Sequence, residues 1–178
     1  FAGEWAYRPA AAFSGYLAGS RRLGKGWKST GKRLMLTVDF RRLPLQPGDW
    51  VLDAGCGEGR HIFECFRHDC CTIGMDLDQR SLLKARYVLE QMRKRREATG
   101  RFYLLRGDTL RFPFPDKTFD KIICAEVIEH VKDERLAMTE LARILKSGGK
   151  IAVTVPTLIT EHVYDKLSRE YFRTPGGH

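Results

Sequence analysis

From Trp50 onward, short apolar runs alternate with longer stretches in which apolar residues recur at helical spacing. Such alternation is typical of a parallel sheet whose strands are connected by helices packed on its faces. The fold class predicted from this pattern is α/β, a doubly wound sheet with helices on both faces and mostly parallel strands. The five predicted strands are 50–54, 71–77, 102–105, 119–124 and 150–155.

Helices are predicted between these strands and after the last one. The longest, over 79–96, rests on the spacing of Leu82, Leu89 and Met92, which share one face while the residues between them are mostly charged. The glycines within 147–149 are expected to end the helix before the fifth strand. The other predicted helices are 61–67, 133–145 and 161–172.

The division of the chain follows from the same pattern. Residues 1–48 hold aromatic residues among glycines and basic residues without sustained periodicity, and we interpret them as an irregular arm or lid. Residues 49–156 form the predicted sheet domain, and 157–178 start a further helical segment. The chain begins with Phe1 rather than Met and ends in a turn-like sequence, which leaves open whether it is a piece of a longer protein.

The composition, with 43% hydrophobic and 30% charged residues among 178, is typical of one soluble domain with its own core. No apolar run approaches the roughly 20 residues that span a bilayer, so we expect a cytoplasmic protein without a membrane span. The cysteines lack repeated Cys-x-x-Cys spacing, which favours reduced thiols. His61, Cys65 and His68 could share one helix face, but no second ligand cluster accompanies them, and no metal site is predicted.

The net charge of +9 is unevenly distributed, since residues 1–48 carry a net +7 and residues 84–101 a net +5. Basic clusters of this kind can attract RNA, an anionic surface or an acidic substrate. A solvated protein face is the alternative interpretation. We favour the solvated face for 84–101, whereas for 1–48 both interpretations stay open. The sequence gives no indication of the oligomeric state.

Glycine and acidic residues follow three of the predicted strands. The glycine-rich segment 55–59 follows the first strand and opens a helix, so its backbone N–H groups can approach a nucleotide-type ligand. Asp76 ends the second strand about twenty residues later, where a carboxylate can accept hydrogen bonds from a ribose. Asp78 is placed to cap the next helix, and Asp108 follows the third strand. The sequence therefore predicts an adenosine-containing ligand at the carboxyl edge of the sheet.

These segments, in this order, resemble the signatures of class I S-adenosylmethionine-dependent methyltransferases. The nearest subgroup is the type-11 set, which includes quinone-biosynthesis methyltransferases, and the resemblance covers 49–156. It implies a Rossmann-like sheet, of which the family's last two strands are not recognisable in this chain. The matching segments are VLDAGCGEG at 51–59, GMDLD at 74–78, GD at 107–108, FPDKTFD at 114–120 and LKSGGK at 145–150.

The resemblance implies that S-adenosyl-L-methionine is the cofactor. Its methionine end would be surrounded by Asp53, Gly55 and Gly57, together with Cys56, which would contribute only its backbone. Asp76 would hold the ribose.

The resemblance also implies contacts with the adenine and with the sulfur or amino group. Leu77 would pack on the adenine, while Asp108 and the backbone of Thr109 would meet the polar edge of that ring. Glu126 would lie near the sulfur or the amino group through its main chain.

The sequence leaves the catalytic residues and the methyl acceptor open. Methyl transfer from a sulfonium mainly requires in-line positioning, so a dedicated base is not essential. For a hydroxyl acceptor, the base candidates are Glu126, Glu129 and His130, which follow the fourth strand. This segment lacks the Asn/Asp-Pro-Pro-aromatic sequence of methyltransferases that act on nucleobase amino groups. A small-molecule acceptor is therefore favoured.

Two other functions share parts of the pattern. An NAD-dependent dehydrogenase uses the same sheet, a glycine turn and a ribose acid, but its turn follows G-x-G-x-x-G rather than the alternating glycines of 55–59. A methyltransferase-like scaffold that serves a partner would keep the fold without catalysis. We expect an S-adenosylmethionine-dependent methyltransferase.

Overall fold

The computed structural model describes residues 36–155, which contain one five-stranded sheet. Every strand pair is parallel, and the strand order is β3-β2-β1-β4-β5. This order places β1 at the centre and confirms the predicted Rossmann-like α/β class. The strands are β1 (Trp50–Ala54), β2 (Cys71–Asp76), β3 (Arg101–Arg106), β4 (Phe119–Ala125) and β5 (Leu145–Thr154).

Three α-helices connect the strands, and two of them begin at an aspartate cap. The Asp78 carboxylate accepts hydrogen bonds from the N–H groups of Arg80 and Ser81, and the Asp133 carboxylate accepts one from Leu136. Each cap satisfies backbone donors that the first helical turn leaves free. The helices are α1 (Arg60–Arg67), α2 (Gln79–Lys94) and α3 (Glu134–Ile144), and a short 3-10 helix, which the sequence did not predict, covers Ile128–His130. The predicted helix 161–172 lies outside the described residues.

The junction between α3 and β5 differs from the prediction that glycines 147–149 end the helix. The helix already ends at Ile144, and β5 begins at the next residue. The last carbonyls of α3 accept hydrogen bonds from the N–H groups of Lys117 and Thr118, at 2.9 and 2.8 Å, so no glycine cap is needed. The glycines instead lie in an irregular part of β5, where its pairing with β4 shifts register.

Two aromatic and aliphatic layers cover the sheet. On one face, α3 packs with the strands in a cluster that includes Leu52, Ile122 and Leu141, all fully buried. On the other face, α1 and α2 pack against one another and against β3. Helices therefore lie on both faces of the sheet, as expected from the alternating pattern.

The segment that precedes β1 also contributes to the core. Val38 and Leu43 are buried in a cluster with Val51 of β1 and Ile123 of β4. The division into parts 1–48, 49–156 and 157–178 stays a prediction, because most of the outer parts lies outside the described residues. Within 36–155, no helix has the length and apolar character needed to cross a membrane.

Two leucines of α3 provide a matched test of this packing. Leu141 is fully buried, whereas Leu136 is 44% exposed. We expect Leu141→Ala to lower the free energy of unfolding by about 2–5 kcal/mol, because it leaves a cavity against the sheet. Leu136→Ala should change it by about 0.5 kcal/mol or less. Urea unfolding of both variants measures the difference, and equal losses would contradict the orientation of α3.

Candidate functional site

The turn between β1 and α1 is formed by glycines with left-handed backbone angles. Gly55 and Gly57 have φ values of 71° and 52°, which favour glycine over other residues. The N–H groups of Gly55 and Cys56 donate hydrogen bonds of 2.7 and 3.0 Å to the Met75 carbonyl of β2. A Cβ on Gly55 would collide with the Val127 side chain, whereas one on Gly57 would meet open space. The first glycine is thus required for packing, and the second borders a cleft.

Asp76, the predicted ribose ligand, connects this turn to the start of α2. Its Oδ2 atom accepts a 2.8 Å hydrogen bond from the Gly57 N–H, and its Oδ1 atom accepts one of 2.8 Å from the Asp78 N–H. A carboxylate offers about four acceptor positions, so two backbone donors leave capacity for ligand hydroxyls. The helix cap predicted at Asp78 is confirmed, whereas the ribose contact of Asp76 stays a prediction.

Asp53 lies beneath the turn and is almost completely buried, with 1% of its surface exposed. Burial raises the pKa of this carboxyl to about 7, while the nearby Arg60 guanidinium lowers it and the Asp76 carboxylate raises it further. Its Oδ2 atom has no hydrogen-bond partner among the described residues. Asp53 is therefore a carboxyl that changes protonation near neutral pH.

An ion pair crosses the cleft between α1 and the end of β4. The Arg60 Nη2 atom lies 2.6 Å from the Glu126 Oε2 atom. Sequence reasoning named Glu126 but missed Arg60. A signal was present, because Arg60 is the first residue of α1, where a cation opposes the helix dipole. The cleft has a volume of about 290 Å³ and is lined by Gly55, Cys56, Gly57, Glu58, Arg60, His61, Ala125 and Glu126.

His61 borders the same cleft and was also missed as a site residue. It is 2% exposed, and burial, assisted by Arg60, lowers its pKa to about 4, although Glu126 opposes this shift. The ring is consequently neutral near pH 7. Its Nε2 atom lies 3.4 Å from the Thr37 hydroxyl, which lies 3.5 Å from the Thr154 hydroxyl.

The residues predicted to contact adenine follow β2 and β3 at the same edge of the sheet. Leu77 is 60% exposed. Asp108 is exposed and accepts a 2.9 Å hydrogen bond from the Leu110 N–H, while Thr109 is buried. The fold thus provides an apolar surface and polar groups beyond the Asp76 carboxylate.

The three base candidates occupy different environments. Glu126 lines the cleft and is held by Arg60. The Glu129 carboxylate oxygens are buried without a hydrogen-bond partner among the described residues, and the nearer one lies 3.9 Å from the His130 Nε2 atom. The side chain of His130 is 78% exposed. Neither Glu129 nor His130 belongs to the cleft lining.

The residues weighed as metal ligands have other surroundings. His61 and Cys65 are buried, whereas His68 is half exposed and lies 3.6 Å from the Glu64 carboxylate. Across the described part of the chain, no group of three or more His, Cys, Asp or Glu side chains could hold a metal ion. All five cysteines are buried free thiols.

Known proteins resemble this chain in both sequence and fold. A family model described as a methyltransferase domain matches residues 52–153. A solved structure from Pyrococcus horikoshii is 29% identical with a TM-score of 0.61, and the match covers 75% of this chain and 57% of that one.

Two curated relatives carry methyltransferase names. One from Encephalitozoon cuniculi, an inferred methyltransferase, is 39% identical over 131 residues, or 71% of this chain and 52% of its own length. The phosphoethanolamine N-methyltransferase of Triticum aestivum is 33% identical over 143 residues, or 79% of this chain and 27% of its own length. The chain thus spans about half or less of the curated relatives it matches.

The raised pKa of Asp53 has a consequence for stability. Between about pH 4 and 7, the folded chain retains a proton that the unfolded chain has lost, so this carboxyl makes stability fall as pH rises through that window. We expect Asp53→Asn to remove this contribution, so the variant gains stability relative to wild type from pH 4 to 7. Urea unfolding across this range measures the gain. A carboxyl NMR titration of wild type with a midpoint near 4 would contradict the assignment.

Proposed function

Because the chain belongs to the class I S-adenosylmethionine-dependent methyltransferases, we propose that it binds S-adenosylmethionine at the carboxyl edge of its sheet and transfers the methyl group to a small-molecule acceptor. The observation that carries the proposal is the Asp76 carboxylate, which accepts a hydrogen bond from the Gly57 N–H beside an open cleft. The family supplies the class of reaction, and the geometry of the cleft supports the proposed site residues.

The chemistry of the cleft suits the parts of this cofactor. Asp53, Gly55, Gly57 and the backbone of Cys56 would surround the methionine end, where the Asp53 Oδ2 atom has no partner among the described residues. Asp76 would accept hydrogen bonds from the ribose hydroxyls.

The adenine would lie beyond the ribose, on the other side of Asp76. The exposed side chain of Leu77 would pack on the ring, because removing apolar surface from water lowers the free energy. Asp108 and the backbone of Thr109 would meet the polar edge of the ring.

The cofactor supplies a methyl group on a positively charged sulfur, so the main task of the protein is to position the acceptor in line and exclude water. Of the base candidates, only Glu126 lines the cleft. For a hydroxyl acceptor, Glu126 could accept its proton if the side chain leaves Arg60. His130 and Glu129 would require an acceptor that reaches beyond the cleft.

The proposal of a small-molecule acceptor is supported by the relative from Triticum aestivum, whose name specifies phosphoethanolamine. We separately propose that the basic arm, residues 1–48, binds RNA or an anionic surface. This proposal rests only on the net positive charge of the arm. We also propose a cytoplasmic location, which is consistent with the free thiols.

Two neighbouring aspartates test the cofactor site. We expect calorimetry to show saturable binding of S-adenosylmethionine by wild type. Asp76→Ala should weaken it about 10- to 100-fold, because hydrogen bonds to a charged group are lost. Asp78→Ala removes the cap of α2 and should lower stability by about 1 kcal/mol while leaving affinity within about threefold.

Other outcomes would contradict the proposal. A folded wild-type sample that binds NAD instead would indicate a dehydrogenase. One that binds neither ligand would indicate a scaffold. Equal losses of affinity in Asp76→Ala and Asp78→Ala would show that the carboxylate of Asp76 has no specific contact with the cofactor.

A further inference from the structure

The side of α2 that points away from the sheet carries exposed apolar side chains. The buried residues Leu82, Leu89 and Met92 pack in the cluster that joins α2 to α1 and β3. On the opposite side, one helical turn apart, Leu83 and Tyr87 are 38% and 41% exposed. α2 therefore has a second apolar surface, which faces solvent rather than the core.

Basic side chains accompany these apolar residues. α2 contains five basic residues and a single acidic residue, Glu90, which forms an ion pair with Arg93 at 3.5 Å. Lys84 pairs with Glu58 of the glycine turn. The remaining basic residues of α2 form no ion pair with another residue within 36–155, and they are Arg80, Arg86 and Lys94. The helix thus presents cations that the fold does not neutralise.

Exposed basic and apolar residues lie along one line of the helix. Their spacings of three, four and seven residues place side chains on the same side of a helix. The residues of this outward face of α2 are Arg80, Leu83, Tyr87 and Lys94. Because α2 has 16 residues, it is about 24 Å long. The outward face therefore has one cation near each end and two apolar side chains between them.

We propose that the outward face of α2 binds the surface of a membrane that contains anionic phospholipids. Arg80 and Lys94 would be attracted to the negatively charged head groups. Leu83 and Tyr87 would insert between the head groups, where their apolar area leaves water. Tyrosine suits this boundary, because its ring is apolar while its hydroxyl stays in the polar layer. This binding goes beyond the proposed methyl transfer and does not depend on it.

The aliphatic residue of the outward face favours a membrane over a nucleic acid as the partner. A nucleic acid offers phosphates to basic residues and base faces to aromatic rings, so Arg80, Lys94 and Tyr87 suit either partner. Leu83 distinguishes them, because an aliphatic side chain is stabilised by the apolar region below the lipid head groups. Leu83 should therefore contribute to the binding of vesicles and not to the binding of RNA.

Flotation with phospholipid vesicles tests this proposal on the 178-residue chain. We expect wild type to bind vesicles of phosphatidylcholine mixed with phosphatidylserine, and to bind phosphatidylcholine alone at least about tenfold more weakly. The double variant Arg80→Gln/Lys94→Gln should weaken binding to the mixed vesicles about 10- to 30-fold, because each basic residue near an anionic surface contributes about fivefold. Leu83→Ser should weaken it about three- to tenfold, because less apolar area leaves water.

Matched controls lie on α3 and just before it, on the other face of the sheet. The double variant Lys132→Gln/Arg135→Gln removes the same charge from exposed residues. Leu136→Ser alters a leucine that is 44% exposed, similar to Leu83. Each control should leave vesicle binding within about threefold, because salt screens charges that lie far from the membrane. Circular dichroism checks that every variant is folded.

Several results would overturn the proposal. Wild type that binds neither kind of vesicle, or both equally, would exclude an anionic membrane as the partner. Losses in the α2 variants no larger than those in the controls would leave α2 a solvated face and assign any vesicle binding to other residues. Binding of an RNA oligonucleotide that Arg80→Gln/Lys94→Gln weakens, without binding of vesicles, would identify a nucleic acid as the partner. The proposed methyl transfer stands in each case, because calorimetry measures cofactor binding separately.

Discussion

The turn after β1 must fit beneath Val127 while its N–H groups bond to the Met75 carbonyl of β2, and the whole site depends on this fit. A side chain on Gly55 would prevent the approach, because its Cβ would collide with Val127. The turn therefore fixes the ends of β1, β2 and β4 relative to one another. As a result, the Asp76 carboxylate accepts a hydrogen bond from the Gly57 N–H, and Glu126 lies opposite the start of α1.

This arrangement brings several charges close together, and their balance determines how the cleft can act. Arg60 is near the carboxyl groups of Asp53 and Glu126, and Asp76 also affects Asp53. Asp53 shares the Arg60 cation with Glu126, and its burial raises its pKa to about 7.

Much of this architecture could be predicted from the sequence, because it depends on local patterns. The bounds of β1 and the contrast between Asp76 and Asp78 follow from apolar runs and capping rules. The 3-10 helix at Ile128–His130 has only three residues, too few for a periodic signal. The end of α3 depends on backbone N–H groups of a loop before β4. The ion pair of Arg60 is made with Glu126, which lies 66 residues away in the sequence. Such contacts between distant segments are not visible in local spacing.

Hydrogen–deuterium exchange with and without S-adenosylhomocysteine tests the proposed cofactor site, because it locates the bound ligand on the sheet. We expect slower exchange in three separate segments that meet only at the carboxyl edge: the glycine turn 55–60, residues 76–78 and residues 108–109. Saturable binding with protection confined to other parts of the chain would contradict a cofactor site built on Gly57 and Asp76.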